Sequence, residues 1–221
     1  MVSEYREKIL ERTDKYYRRM NENDFSHNFD HVTRVERLAK RIGKEERADM
    51  EVVEAMCLLF DVARMMEDEG EVEDHSETGS EIARQILDEI GFPKDKAENV
   101  CHAILVHRKS KNKVPKTIEA KILQDADYLD AMGAVDVARV ISSSIQTKKY
   151  RKPMYIDKIV DEPYVGEKSI STIHYFLHKL EHPKLQPCNF HTTLGRKIAE
   201  ERFRFMKEFT ERFIAEWKGE R

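Results

Sequence analysis

Cys57-Leu58-Leu59-Phe60-Asp61-Val62-Ala63-Arg64-Met65-Met66 is the stretch on which the fold turns. Apolar residues run almost unbroken from Ala55 to Met66. A helix that is apolar on nearly every side must be buried on nearly every side, so the spacing predicts a central helix here. Asp61 and Arg64 alone interrupt it, at i and i+3 on one helical face. An ionised carboxylate in a dry core is costly unless it is paired or binds a metal. Asp61 and Arg64 therefore read either as a structural ion pair or as part of a polar site inside the core.

The flanking sequence extends the helical pattern in both directions. Helical spacing from Ser3 to Met20 predicts an amphipathic first helix, ended by the polar Asn21-Glu22-Asn23-Asp24 turn. Asp30 is placed to cap a helix to about Arg41, with Val35, Leu38 and Ile42 inward, His31 in its first turn and Gly43 as its stop. After the acidic loop Glu67 to Glu73, Asp74 with Glu77 makes a capping-box-like start to a helix that Gly91-Phe92-Pro93 ends. His75 lies at that start. Ala97 to His107 forms the next helix, with Val100, Ile104 and His107 in one stripe. The loop from Arg108 to Lys116 then holds five basic residues in nine, either a solvated surface or a rim facing phosphate.

Thr117 to Gly133 carries a second inward acid. Ile122, Leu129 and Met132 make an apolar stripe that includes Asp125, while Asp127, about 200° away, is expected to face outward. A further helix over 135–145 is followed by an irregular segment at 146–168, of the kind often used as a lid or interaction loop. Ile170 to Leu180 is helical, and Thr193 to Trp217 is a long terminal helix with an aromatic stripe that reads as packing. The fold expected is all-α, a multi-helix bundle over residues 1–221 as a single domain.

Composition agrees and excludes several classes. Only 8 glycines and 6 prolines in 221 residues argue against a β-rich fold with many tight turns. A net charge of −3 provides no global field toward duplex nucleic acid or an anionic membrane, so neither is an expected partner. No stretch is long and apolar enough to span a bilayer, and the first residues have no signal-like apolar core. Cys57, Cys101 and Cys188 are odd in number and far apart, which suits free thiols in a reducing compartment; a cytoplasmic protein is expected.

In order, the chemistry-bearing positions are His31, Asp61, His75, His107 and Asp125, from five helices. The motif His27-x-x-Asp30-His31-x-x-Arg34-Val35, the stretch Leu58-Leu59-Phe60-Asp61, and Gln124-Asp125-Ala126-Asp127-x-Leu129-Asp130-Ala131-x-Gly133-Ala134 together resemble the HD-domain metal-dependent phosphohydrolases. The tail Ala199-Glu200-Glu201-Arg202 is similar to the subgroup that includes nucleoside-triphosphate pyrophosphohydrolases. The chain departs from the family pattern at one place: Phe60 stands where the resemblance puts the histidine of the His-Asp doublet.

The resemblance implies an HD-domain bundle and hydrolysis of a phosphoanhydride or phosphoester, with a small phosphorylated substrate, most simply a nucleotide. It implies a divalent cation (manganese, magnesium, iron or similar) on His31, Asp61 and Asp125, with Asp61, Asp125 and Arg64 catalytic. His75, His107, Arg108, Lys109 and Lys111 would contact substrate. Phe60 removes one ligand, so binding of the cation is expected to be weak or absent. The competing reading is a catalytically inactive HD scaffold that binds a nucleotide or partner without turnover.

Overall fold

The structure, a computed structural model, describes residues 4–20, 28–146, 148–158 and 169–221. Among the described residues there are ten α-helices and several short 3-10 turns, and no strand. The helices are α1 (Arg6–Tyr17), α2 (Phe29–Glu45), α3 (Met50–Leu59), α4 (Arg64–Asp68), α5 (His75–Glu89), α6 (Lys94–Val106), α7 (Ile118–Asp130), α8 (Gly133–Gln146), α9 (Thr172–Glu181) and α10 (Thr193–Trp217). The all-α expectation holds. The sequence reading took 1–221 as one domain; the chain packs as two compact units, one reaching to residue 127 and the other beginning at 128. The expected turn at 21–24, His27 of the first motif and much of the irregular segment lie outside the described residues.

In the first unit α3 is the central helix, packed by α1, α2 and α6, while α5 lies along α6. That surrounding explains its largely apolar sequence: Val52, Val53 and Ala55 through Leu59 are all buried, as is Phe60 just beyond its end. Its N-terminus is capped by Asp49, whose carboxylate accepts from the backbone of Glu51 at 3.0 Å. Glu54 is buried in the same helix and is answered by Arg6 at 3.1 Å and Lys40 at 2.5 Å, which also bind Glu36. Two carboxylates and two cations thus form a closed set in which each buried charge has its opposite.

Three local expectations are corrected. The apolar run is not one helix: α3 ends at Leu59, and Phe60 to Ala63 form a turn closed by Val62 N–H to Leu59 O (3.3 Å) and Arg64 N–H to Asp61 O (3.0 Å). Periodicity cannot show this break, because burial keeps the turn as apolar as the helix. Gly43 does not stop α2, which runs on to Glu45; a Cβ at Gly43 would lie 3.2 Å from the Met50 sulfur and 3.3 Å from Val53 Cγ2. The glycine is there for the close approach of α3. The N-cap of α2 is Asn28, and Asp30 sits in the first turn, where its charge suits the helix N-terminus.

In the second unit α10 packs on α8 and α9. Gly133, at φ +85°, opens α8; a Cβ there would meet Arg202 Cγ at 2.9 Å, and the Arg202 guanidinium donates to Leu129 O at 2.5 Å, satisfying a carbonyl in the last turn of α7. Buried Asp136 on α8 accepts from Lys179 of α9 at 2.6 Å and from Arg139 at 2.9 Å. The aromatic stripe of α10 is partly solvent-facing: Phe213 and Trp217 stack at 5.7 Å, but Trp217 is 55% exposed.

Candidate metal centre

The Phe60–Ala63 turn swings Asp61 into the first unit's core beside residues from α2, α5 and the end of α6. Asp61 Oδ2 lies 3.6 Å from His31 Nε2, and Oδ1 lies 3.5 Å from His75 Nε2. His75 and His107 face each other, Nε2 to Nε2, at 3.3 Å. Oxygen of Asp61 and nitrogens of His75 and His107 all stand within 4.8 Å of one another, and all three residues are buried. The Phe60 ring, fully buried, lies edge-on against His31 (5.7 Å between centroids) and His107 (5.4 Å).

The outer nitrogens decide what this cluster can bind. His75 Nδ1 is 2.8 Å from the Glu67 carboxylate, which also accepts from the His75 backbone N–H at 2.7 Å. Burial works against the ionisation of Glu67, but these bonds and the charge of Arg108 outweigh it and hold its pKa below the ordinary value. An ionised carboxylate accepts only, so His75 Nδ1 carries the proton. His107 Nδ1 faces the carbonyl of Ile104 at 2.7 Å and must donate as well. Both Nε2 atoms are then bare lone pairs aimed at one another and toward Asp61.

A proton on His75 cannot settle this at neutral pH, because burial pushes its pKa down to about 4. Burial would raise the Asp61 pKa, but electrostatic interaction with His75, His31, His107 and Arg64 outweighs it and holds it below the ordinary carboxylate value. Two imidazole lone pairs and one carboxylate, each imidazole fixed by a bond from its other nitrogen, are the donor set and outer support of a transition-metal site. The residues present therefore fit a divalent cation.

The remaining sequence candidates are placed around this cluster. Arg64 bonds Asp68 at 3.2 Å. Asp125 is completely buried and faces the Lys109 ammonium at 3.6 Å. Lys109 is thus not on an outer rim as expected; it is buried, and burial lowers its pKa against the opposing pull of Asp125 and Asp127. Arg108 bridges Glu67 (2.7 Å) and Asp74 (3.1 Å), and Lys111 lies 3.4 Å from Asp74. Asp127, expected to face outward, instead reaches His31 Nε2 at 3.4 Å. Periodicity gives the direction of a Cβ on its own helix, not where the neighbouring helix stands. Glu67, which the sequence places in an acidic loop, lies in the short helix α4 and was also missed, for no periodic signal marks a carboxylate that supports a histidine eight residues on.

Comparison with known proteins matches this architecture. A family model described as the HD domain fits residues 28–132, a span that includes every residue of the cluster. The uncharacterized protein YpgQ of Bacillus subtilis (strain 168) is 32% identical over 190 residues, 83% of this chain and 80% of that protein. The chain belongs to the HD-domain family. Among solved structures, a predicted HD superfamily hydrolase from an uncultured Thermotogales bacterium is similar at 30% identity and TM-score 0.68, covering 96% of this chain and 93% of its own. An HD-superfamily hydrolase from Bacillus thuringiensis gives TM-score 0.72 at 26% identity, with 97% of each chain covered. The structure of B. subtilis YpgQ in complex with ADP gives TM-score 0.62, at 26% identity over the superposition, covering 93% of this chain and 95% of that one. No helix among the described residues is long and apolar enough to cross a membrane.

Proposed function

We propose that this protein is a metal-dependent phosphohydrolase acting on a nucleotide. The observation that carries the reading is the convergence of two histidine lone pairs and the Asp61 carboxylate, each imidazole held in its tautomer by a bond at Nδ1. Asp61, His75 and His107 would hold the cation. The ADP complex of YpgQ supports a nucleotide as the substrate. A bound divalent ion supplies charge stabilisation at a phosphoryl oxygen and a water of lowered pKa.

The chain's own residues supply the rest. Glu67 holds the His75 Nδ1 proton and so keeps Nε2 open. His31 and Asp127, 3.4 Å apart, form a pair able to accept a proton from an attacking water. Arg108 and Lys111 are the phosphate contacts; each now faces a carboxylate that a more highly charged phosphate would compete with. Arg64 adds positive potential beside Asp61.

Phe60, standing where the resemblance places a ligand histidine, favours a second reading: a scaffold that binds a nucleotide without turnover. Metal analysis of purified protein and a nucleotide panel with added manganese separate the two. One ion per chain and hydrolysis of at least one nucleotide are expected. A chain that binds nucleotide but neither holds an ion nor turns over belongs to the second reading.

A further inference from the structure

One oxygen beside the site carries more hydrogen bonds than it has lone pairs. Glu67 Oε2 accepts from the His75 backbone N–H at 2.7 Å, from His75 Nδ1 at 2.8 Å and from Arg108 Nη1 at 2.7 Å. A carboxylate has about four lone-pair directions, two on each oxygen, so three donors on one oxygen compete. The Arg108 nitrogen is itself divided, because it also reaches Asp74 Oδ1 at 3.1 Å. That oxygen accepts from the Ser76 backbone N–H at 3.0 Å and the Ser76 hydroxyl at 2.7 Å, and Asp74 Oδ2 lies 3.4 Å from Lys111. Arg108 and His75 are therefore joined through Glu67. They look in opposite directions: Arg108 is half-buried beside the more exposed Lys111, whereas His75 is buried with Nε2 3.5 Å from Asp61.

We infer that Arg108 couples phosphate binding to the buried site: a phosphate that draws its guanidinium off Glu67 leaves that oxygen to His75 and makes His75 Nε2 a stronger donor. The sign follows from the bonds. A cation on Glu67 takes part of the carboxylate charge and weakens its hold on the Nδ1 proton. With the cation gone, the bond from Nδ1–H tightens, the ring gains electron density, and the Nε2 lone pair becomes more basic. The link is reciprocal, since a cation on Nε2 tightens the same bond from the other side and releases Arg108 toward a phosphate. Arg108 acts through two other side chains and is a positioning residue. Its effect on a metal ion rests on the proposed function; its effect on the His75 hydrogen bond does not.

The first test uses inorganic pyrophosphate, the diphosphate of ADP without its nucleoside, on the metal-free full chain. The proton on His75 Nδ1, followed by nuclear magnetic resonance, is expected to move downfield as pyrophosphate is added. In Arg108→Met it should start downfield and stay there. A wild-type proton that pyrophosphate leaves in place overturns the inference. The second test is manganese titration by calorimetry with no phosphate present. Arg108→Met should bind manganese about 3- to 10-fold tighter than wild type, a part of the 10- to 100-fold that an outer partner of a ligand histidine commands. In a Glu67→Gln background the same replacement should change the affinity less than about twofold. An equal gain in that background would mean that Arg108 acts by its charge alone, and overturns the inference.

Should Arg108→Met fail to fold, Asp74→Asn decides with the opposite sign. Asparagine keeps an acceptor for the Ser76 N–H at the start of α5 but leaves Arg108 to Glu67. The Nδ1 proton should then move upfield and manganese affinity should fall; a downfield or unmoved proton overturns the inference. The inference and the proposed function fail separately. The expected proton shifts in proteins that bind no manganese leave the link from Arg108 to His75 standing and remove His75 as a metal ligand.

Discussion

Replacing Glu67 by alanine tests the chemistry of the site without touching a proposed ligand. Its carboxylate accepts from His75 Nδ1 at 2.8 Å, from the His75 backbone at 2.7 Å and from Arg108 at 2.7 Å. With it gone, His75 is free to move its proton to Nε2 and donate to His107 Nε2, 3.3 Å away. That bond would satisfy the two lone pairs with each other and close the donor set. Loss of such outer support typically lowers metal affinity about 10- to 100-fold, which is about 1.4–2.7 kcal/mol. Glu67→Gln keeps an acceptor oxygen and should lose far less. Titration calorimetry with manganese measures the affinity, and nitrogen chemical shifts of the His75 ring report the tautomer in the metal-free protein. Alanine and wild-type proteins of equal affinity, or an alanine variant in which His75 keeps its proton on Nδ1, would refute the reasoning.

Two further outcomes concern stability. Phe60→Ala removes a fully buried ring that touches His31 and His107 and should cost about 3–5 kcal/mol in urea unfolding; a loss under about 1 kcal/mol would mean that the cavity refills. Burial works to raise the Asp136 pKa, but Lys179 and Arg139 outweigh it and leave it depressed, so its contribution is complete above the ordinary carboxylate value of about 4 and is lost as pH falls below that. Asp136→Asn should therefore cost about 3–5 kcal/mol at neutral pH, by leaving two buried cations short of charge, and should flatten the acid end of the stability profile; an unchanged profile would show that the pair is not what titrates.

Most of the helices were legible in the chain because each buries one stripe, and a stripe repeats every 3.6 residues whatever it packs against. Thr193–Trp217 was read to the residue, since Thr192 caps its start and the apolar spacing runs unbroken to its end. Asp61 and Asp125 stood out as acids within apolar runs, and both are buried. His75 and His107 were marked by their neighbours. What the sequence could not carry is anything set by the meeting of two elements. The break after Leu59 is hidden because turn and helix are equally buried. Glu67 joined the site from what reads as an acidic loop and Asp127 from a position that reads as outward-facing, and Lys109 left a basic loop for the core. A charged side chain announces its partner only when the partner shares its helix; His31 meets Asp127 from 96 positions away, and only the packing of α2 against the elements around it determines that these two carry one charge relation.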